Sequence, residues 1–336
     1  MVFKSLRVSV AALLCLMSVR FLCAAHKIQK TFGKSAAILW QDPGDIKARD
    51  LYYGPGKADQ MPQEPFVFLK EDLQGTNPKF DIRDGNGTKW RVKLGVEARP
   101  EVAAARLVWA VGYFAQENYF FPKLRVQNLP RRLKRGQQWV TPDGWVIGAR
   151  LKRNPESLRK VNLWHWGKNP FSGTRELNGL RVMMALINNL DLKDSNNGIY
   201  RNAHGGSLKG HDIYMVSDLG SAFSERVWPL YLKGNLESFK KVGFIQRIKP
   251  DTVDFNMPTG PAIEDLGHLT WYVGRIWLRW ITKNIPRSDA KWIGQELGQL
   301  SRSQIQDAFR AAGFSGEDIQ GFTNELLKRI AALNAL

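Results

Sequence analysis

Cysteine is nearly absent. The chain's 336 residues include two, Cys15 and Cys23, and both fall in the first stretch. Lys4 and Arg7 precede an apolar run of 12 residues, Val8 to Val19, which Arg20 breaks; Cys23-Ala24-Ala25 then offers small residues for cleavage. This pattern predicts a secretory signal peptide over residues 1–25. The run falls short of the ~20 apolar residues a membrane span needs, and no second run of that length follows. Past residue 25 there is no cysteine, which excludes disulfides, thiolate nucleophiles and cysteine-ligated zinc. Export without disulfides predicts a bacterial envelope protein, periplasmic or extracellular.

Other signals are missing too. There is no internal repeat, no low-complexity tract, no G-x-S-x-G and no G-x-x-x-x-G-K-[ST], so neither a nucleophile elbow nor a Walker loop is encoded. His26, His165, His204, His211 and His268 lack metal-ligand spacing. Acids are scarce: 31 Asp and Glu stand against 49 Lys and Arg, a net charge of +18 that becomes +15 once Lys4, Arg7 and Arg20 leave with the leader. Such a chain attracts polyanions, whether nucleotide phosphates, anionic lipid, acidic polysaccharide or nucleic acid. The densest basic runs, Arg131-Arg132-Leu133-Lys134-Arg135 and Arg150-Leu151-Lys152-Arg153, are expected on the surface, as a solvated face or a docking patch.

What is present is apolar mass. Hydrophobic residues make up 43%, with twelve Trp and seventeen Phe, enough for a sizeable core. Residues 26–65 are polar and rich in Gly and Pro and are expected to form an extended N-terminal arm. From Phe66 the pattern turns to strands: Phe66–Leu69, Lys79–Arg83 and Trp90–Leu94, with Asp84-Gly85-Asn86-Gly87 as a turn, predict an antiparallel meander. Pro100 and Glu101 suit the first turn of a helix that is apolar nearly all round and hence buried. Gln137–Val140 and Trp145–Ile147 are read as a further hairpin. Beyond residue 150 the pattern turns helical. Leu177, Leu180, Met184 and Ile187 make one stripe, Ile263 to Trp280 a second, and a C-terminal pair is divided by Gly313 with Ser315 as cap. The tryptophans, Trp164 and Trp166 among them, are most simply read as packing residues.

One segment carries chemistry. Directly after the first stripe stands Asp191-Leu192-Lys193-Asp194-Ser195-Asn196, and 27 residues beyond Asp191 comes Asp218-Leu219-Gly220, led in by the strand-like Ile213–Val216. Asp191-Leu192-Lys193 through Asn196 resembles the catalytic loop of the protein-kinase-like superfamily, and Asp218-Leu219-Gly220 resembles its metal-binding turn, with Leu for the usual Phe. Val92-Lys93 at the end of the third strand looks like the strand lysine, and Glu101 lies where kinases place its glutamate partner. Glu101, Arg106 and Leu107 look like the corresponding helix of HipA-type and CotH-type kinases, atypical branches that, with the secreted kinases, this chain resembles; the HipA-type and CotH-type branches lack a conventional glycine-rich loop, as this chain does. The likeness spans about residues 66 to 225, by motif and order.

The resemblance implies an α+β, bilobal protein-kinase-like fold. An antiparallel-sheet N-lobe with one helix (66–150) would bind nucleotide, and a mainly helical C-lobe (151–336) would carry the catalytic loop. Phosphoryl transfer is chiefly positioning and charge neutralisation. The implied roles are Lys93 on the phosphates, Glu101 aiming it, Asp191 accepting the proton of an acceptor hydroxyl, and Lys193 offsetting phosphoryl charge. Asn196, or Asn197 in its place, and Asp218 would be the oxygen ligands of Mg2+ (or Mn2+). Gly75 and Thr76, in the turn between the first two strands, mark where a phosphate-covering loop should lie. Where typical protein kinases have His, two residues before Asp191, this chain has Asn189, and no A-P-E segment follows Gly220. The expected activity is therefore ATP- and Mg-dependent phosphorylation of a hydroxyl on a protein, lipid head group or saccharide. The competing reading is a catalytically inactive kinase-shaped envelope protein that holds anionic lipid or polysaccharide. Nucleic acid is the weakest partner, since no recognition motif is present.

Overall fold

The computed structural model describes residues 36–75, 77–153, 158–202, 208–227, 230–257 and 277–336. The leader, Thr76, His26, His204, His268 and the Ile263–Ile276 part of the second stripe lie outside the described residues.

The front of the molecule is a five-stranded closed barrel. Strands β2 (Phe66–Asp72), β3 (Lys79–Arg83), β4 (Lys89–Lys93), β5 (Asn118–Gln127) and β6 (Trp145–Arg153) run in the order β2-β3-β4-β6-β5, and a short parallel pairing of β2 with β5 closes the ring. β1 (Ala37–Ile38) lies outside it. Alternation sets the two faces. Phe80, Ile82, Trp90, Val92 and Leu151 point inward to a buried apolar core, while Lys79, Asp81, Arg91, Lys93, Arg150 and Lys152 share the opposite face by register. The meander over 66–94 is thus present, but it is part of a barrel. The expected hairpin partner at Gln137–Val140 is mostly a 3-10 turn, Gln137–Trp139, that keeps one antiparallel bridge, Val140 to Val146, while β6 pairs chiefly with β5 and β4.

Helix α1 (Ala98–Ala110) follows β4, with Pro100 in its first turn. It is buried on nearly every side, which its Ala-rich, Val- and Leu-studded sequence permits. It packs on the barrel and on α5 (Arg302–Ala311). The segment expected as an extended arm is instead seated from Ala37 onward. β1 pairs in parallel with β9 (Asp212–Val216), Ile46 and Leu51 are fully buried, and the Arg106 guanidinium of α1 donates to the carbonyls of Tyr52 and Tyr53. Anchoring by its few apolar side chains and by Arg106 outweighs the Gly- and Pro-rich composition.

The rear mixes helices with small sheets. Helix α2 (Arg175–Leu186) is capped by the Thr174 hydroxyl, which accepts from Leu177 N. A sheet of order β1-β9-β8-β7 includes β7 (Leu158–Asn162) and β8 (Asn197–Asn202). The expected C-terminal pair is found as α5 and α6 (Gly316–Asn334). Between them Gly313 takes φ +73, where a side chain would be strained, and Ser315 accepts from Asp318 N. From α6 the buried Arg329 reaches back to the Leu186 carbonyl and Asn188 Oδ1 at the end of α2, and to the Phe239 carbonyl. Among the described residues no helix is long and apolar enough to cross a membrane.

Candidate active site

The site forms where β4, α1 and the segment after β9 meet. Lys93 is the last residue of β4, and its ammonium donates to three carboxylates: Glu97 Oε2 at 2.7 Å, Glu101 Oε2 at 2.9 Å and Asp218 Oδ1 at 3.2 Å. Residues 125 apart in sequence thus meet directly. Lys93 and Glu101 are buried, while the Asp218 side chain is 40% exposed. Burial opposes the charge on Lys93, but Glu101, Asp218 and Glu97 outweigh it and hold its affinity for the proton above the ordinary lysine value. Burial likewise opposes ionisation of Asp218; Lys93, the Gly220 amide and Arg150 overcome it and keep the carboxyl well below the usual range.

Asp218 Oδ1 accepts from both Lys93 and Gly220 N. Its Oδ2 takes part in neither bond and is the oxygen left to face a cation or a phosphate-bound ion. The backbone brings the Asp191 loop to the same place. Ser217 N donates to the Asn196 carbonyl at 2.7 Å, and Leu190 N to the Ser221 carbonyl at 3.2 Å. These two bonds bracket Asp191 in one loop and Asp218 in the other. Asn196 Nδ2 donates to the Asp191 carbonyl at 2.9 Å, so its side-chain oxygen is the end available as a ligand. Lys193 pairs with Asp191, Nζ to Oδ1 at 3.1 Å, on the exposed side of the loop. Asp194 fixes the loop from behind, accepting from Trp166 N at 3.0 Å and meeting His165 Nδ1 at 2.8 Å. Trp164 and Trp166 are buried at 2% exposure and pack edge to face.

The two asparagines left open by the sequence separate here. Asn197 is buried and its Nδ2 donates to the Trp164 carbonyl, whereas Asn196 sits beside Asp191. Gly75 takes φ +67, and its carbonyl accepts from Arg135 Nη1 at 2.6 Å. Arg135 also holds the carbonyls of Asp72 and Gln74, so the end of the 131–135 run is a brace for the β2–β3 turn. Thr76 lies outside the described residues.

Several residues at the centre were not singled out by sequence. Glu97, just ahead of α1, accepts from Lys93, from Asn77 Nδ2 at 2.6 Å and from Lys233; its spacing of four residues from both Lys93 and Glu101 is the signal that could have found it. Arg150 was expected on the surface. It is 3% exposed and donates from Nη2 to Glu101 Oε2 at 3.0 Å, because the β4–β6 register sets it directly opposite Lys93. Lys152 is two residues along on that face. Arg150 and Lys152 therefore lie on the same face of the barrel as Lys93. Among the described residues no three of His, Cys, Asp and Glu gather as a metal cluster. Asp218 with Asn196 is one carboxylate and one amide, the hard-oxygen pair magnesium accepts when phosphates and water complete its shell.

No family model matches the sequence, and no curated protein matches it. Among solved structures the chain is similar to the Helicobacter pylori proinflammatory kinase CtkA, with TM-score 0.43 and 12% identity over 82% of this chain and 98% of that one. It is also similar to the Golgi casein kinase with Mn/ADP bound, with TM-score 0.41 and 11% identity over 95% of this chain and 90% of the other. At these scores the likeness is loose, and the functional reading rests on the chain's own geometry.

Proposed function

We propose that the protein is an atypical kinase-like phosphotransferase that uses ATP with Mg2+ or Mn2+ and acts on a hydroxyl. The observation that carries this reading is the single ammonium of Lys93 held at once by the helix acid Glu101 and by Asp218 of the Asp-Leu-Gly turn. A cation pre-aimed in this way costs little reorganisation when phosphate oxygens arrive. Glu101, itself gripped by Arg150, keeps the Lys93 ammonium in place. Asp218 and Asn196 would hold the metal, which neutralises phosphate charge when bound. Asp191, with 27% of its side chain exposed, would accept the proton of an acceptor hydroxyl. Lys193 beside it offsets charge on the transferring group. The turn at Gly75, braced by Arg135, would cover the phosphates.

The acceptor belongs to a hydroxyl-bearing protein, lipid head group or saccharide in the compartment to which a leader over residues 1–25 would deliver the chain. The test is calorimetry of the protein lacking residues 1–25 with MgATP, and a phosphoryl-transfer assay on envelope fractions. Asp191→Asn is expected to keep nucleotide binding and lose about 10²–10⁴-fold in transfer; Asp218→Asn is expected to lose metal-dependent binding. Absence of nucleotide binding at millimolar ATP overturns the reading in favour of an inactive, anion-holding relative of the same shape.

A further inference from the structure

A second cavity, of about 420 Å3, opens beside the Lys93 cluster, and Arg91, Glu117, Lys152, Arg153, Lys160 and Tyr200 are among its walls. The β4–β6 register explains its position. Lys93 stands opposite Arg150, and Arg91 opposite Lys152, so Lys152 lies two residues, about 7 Å, further along the same face.

The walls carry four cations and one carboxylate, and the pairing among them is uneven. Arg91 is engaged by Asp81 and Asp72, and Arg153 by Glu117 and Gln60. Lys152 and Lys160 have neither an ion pair nor a hydrogen bond to any described residue. Donors are left over as well. Arg153 Nε is buried without an acceptor, and so are Nε and Nη1 of Arg150, whose side chain is nearly inaccessible. Buried charges are ordinarily paired and buried N–H groups ordinarily bonded. Lys152 and the buried Arg153 Nε line the cavity without a partner, and the exposed Lys160 stands at its edge, an arrangement completed by an anion with several acceptor oxygens.

We propose that this cavity is a phosphate site, separate from the metal centre, with Lys152 as its principal ligand and Lys160 closing its mouth. A phosphate accepts from several donors at once, and charge-assisted bonds of this kind are about twice as strong as neutral ones. Burial and the neighbouring Arg150 pull Lys152 down to about 7, the direction an ammonium takes without a counterion. The proposal does not depend on phosphoryl transfer at Asp191: the cavity is built from residues outside the Lys93–Asp218 contact.

The test is calorimetry with inorganic phosphate in metal-free buffer, on the protein and on four variants. Binding is expected to weaken at least tenfold in Lys152→Met and measurably in Lys160→Met, and to persist in Asp218→Asn and in the exposed-surface variant Arg132→Ala. AMP binding more tightly than phosphate identifies a nucleotide phosphate as occupant, and equal affinity identifies a free phosphate; both uphold the site. The proposal is overturned if the protein does not bind phosphate, if Lys152→Met and Lys160→Met bind as the parent does, if Arg132→Ala weakens binding as much as they do, or if Asp218→Asn abolishes it. Should Lys152→Met fail to fold, Lys160→Met at the cavity mouth decides the matter alone. MgATP titration of the same samples reports the Lys93 cluster independently, so loss of one site is told apart from loss of the other.

Discussion

Gly220 lies so close to Glu97 that a Cβ built on it would come within 2.7 Å of Glu97 Oε2 and 2.9 Å of Glu97 Cβ. The carboxylate cannot simply swing away, because Lys93, Asn77 and Lys233 all hold it. The glycine of the Asp-Leu-Gly turn is therefore required by a contact with the acid ahead of α1. Gly220→Ala is expected to cost about 1–3 kcal/mol, the usual cost of overpacking, and to weaken MgATP binding by displacing Glu97 and Asp218 together. Denaturant unfolding and calorimetry on one preparation read both effects; unchanged stability with unchanged affinity refutes the contact.

Lys93→Met removes the one cation that Glu97, Glu101 and Asp218 share. Stranding buried carboxylates in this way costs about 3–5 kcal/mol. Adding Glu101→Gln should recover part of the loss, since it removes one of the three carboxylates that Arg150 and Lys233 would then be left to balance. A double-mutant cycle in urea measures this recovery. Strictly additive losses would mean that the two side chains do not interact.

Lys152 titrates at about 7 in the folded chain and near 10.4 when unfolded. Between these values the unfolded chain binds the extra proton, so this residue makes stability rise with pH. Its destabilising charge is fully present below pH 7 and is relieved by about pH 10. Lys152→Met is accordingly expected to melt several degrees higher than the parent at pH 6, with the difference fading toward pH 10. Thermal scans across that range test the sign. An equal difference at every pH would show that packing, and not charge, is responsible.

Arg135 donates to three carbonyls of the β2–β3 turn region, those of Asp72, Gln74 and Gly75. Arg135→Ala should leave the barrel folded and loosen the turn, raising KM for ATP about 5–30-fold, the equivalent of one or two kcal/mol, with a smaller effect on kcat. A fall in kcat alone would place the residue's influence elsewhere.

Sequence alone was enough for those features that depend on neighbours in the chain. The meander over 66–94 follows from period-two alternation and the Asp84-Gly85-Asn86-Gly87 turn, and the buried α1 from an Ala-rich run behind Pro100. The α5–α6 break follows from Gly313 and Ser315. Spacing also nominated Lys93, Glu101, Asp191, Asn196 and Asp218 as candidates, because their residue types are arranged along short motifs. The seat of residues 37–65 was not legible, since burial of Ile46 and Leu51 depends on surfaces contributed by distant segments.

Tertiary structure alone decided the fate of the basic run at 150–153. Arg150 and Lys152 look like any surface pair until the β4–β6 register places them opposite Lys93 and Arg91. A hairpin turn fixes the register of neighbouring strands, but β4 and β6 are separated by α1 and β5, so no turn joins them and their register follows only from packing both apolar faces into one core. The convergence of Glu97, Lys93 and Asp218 has the same origin. Chain order and residue type can nominate an acid or an ammonium; only the closing of the barrel on the segment after β9 brings charges 125 residues apart to within 3.2 Å.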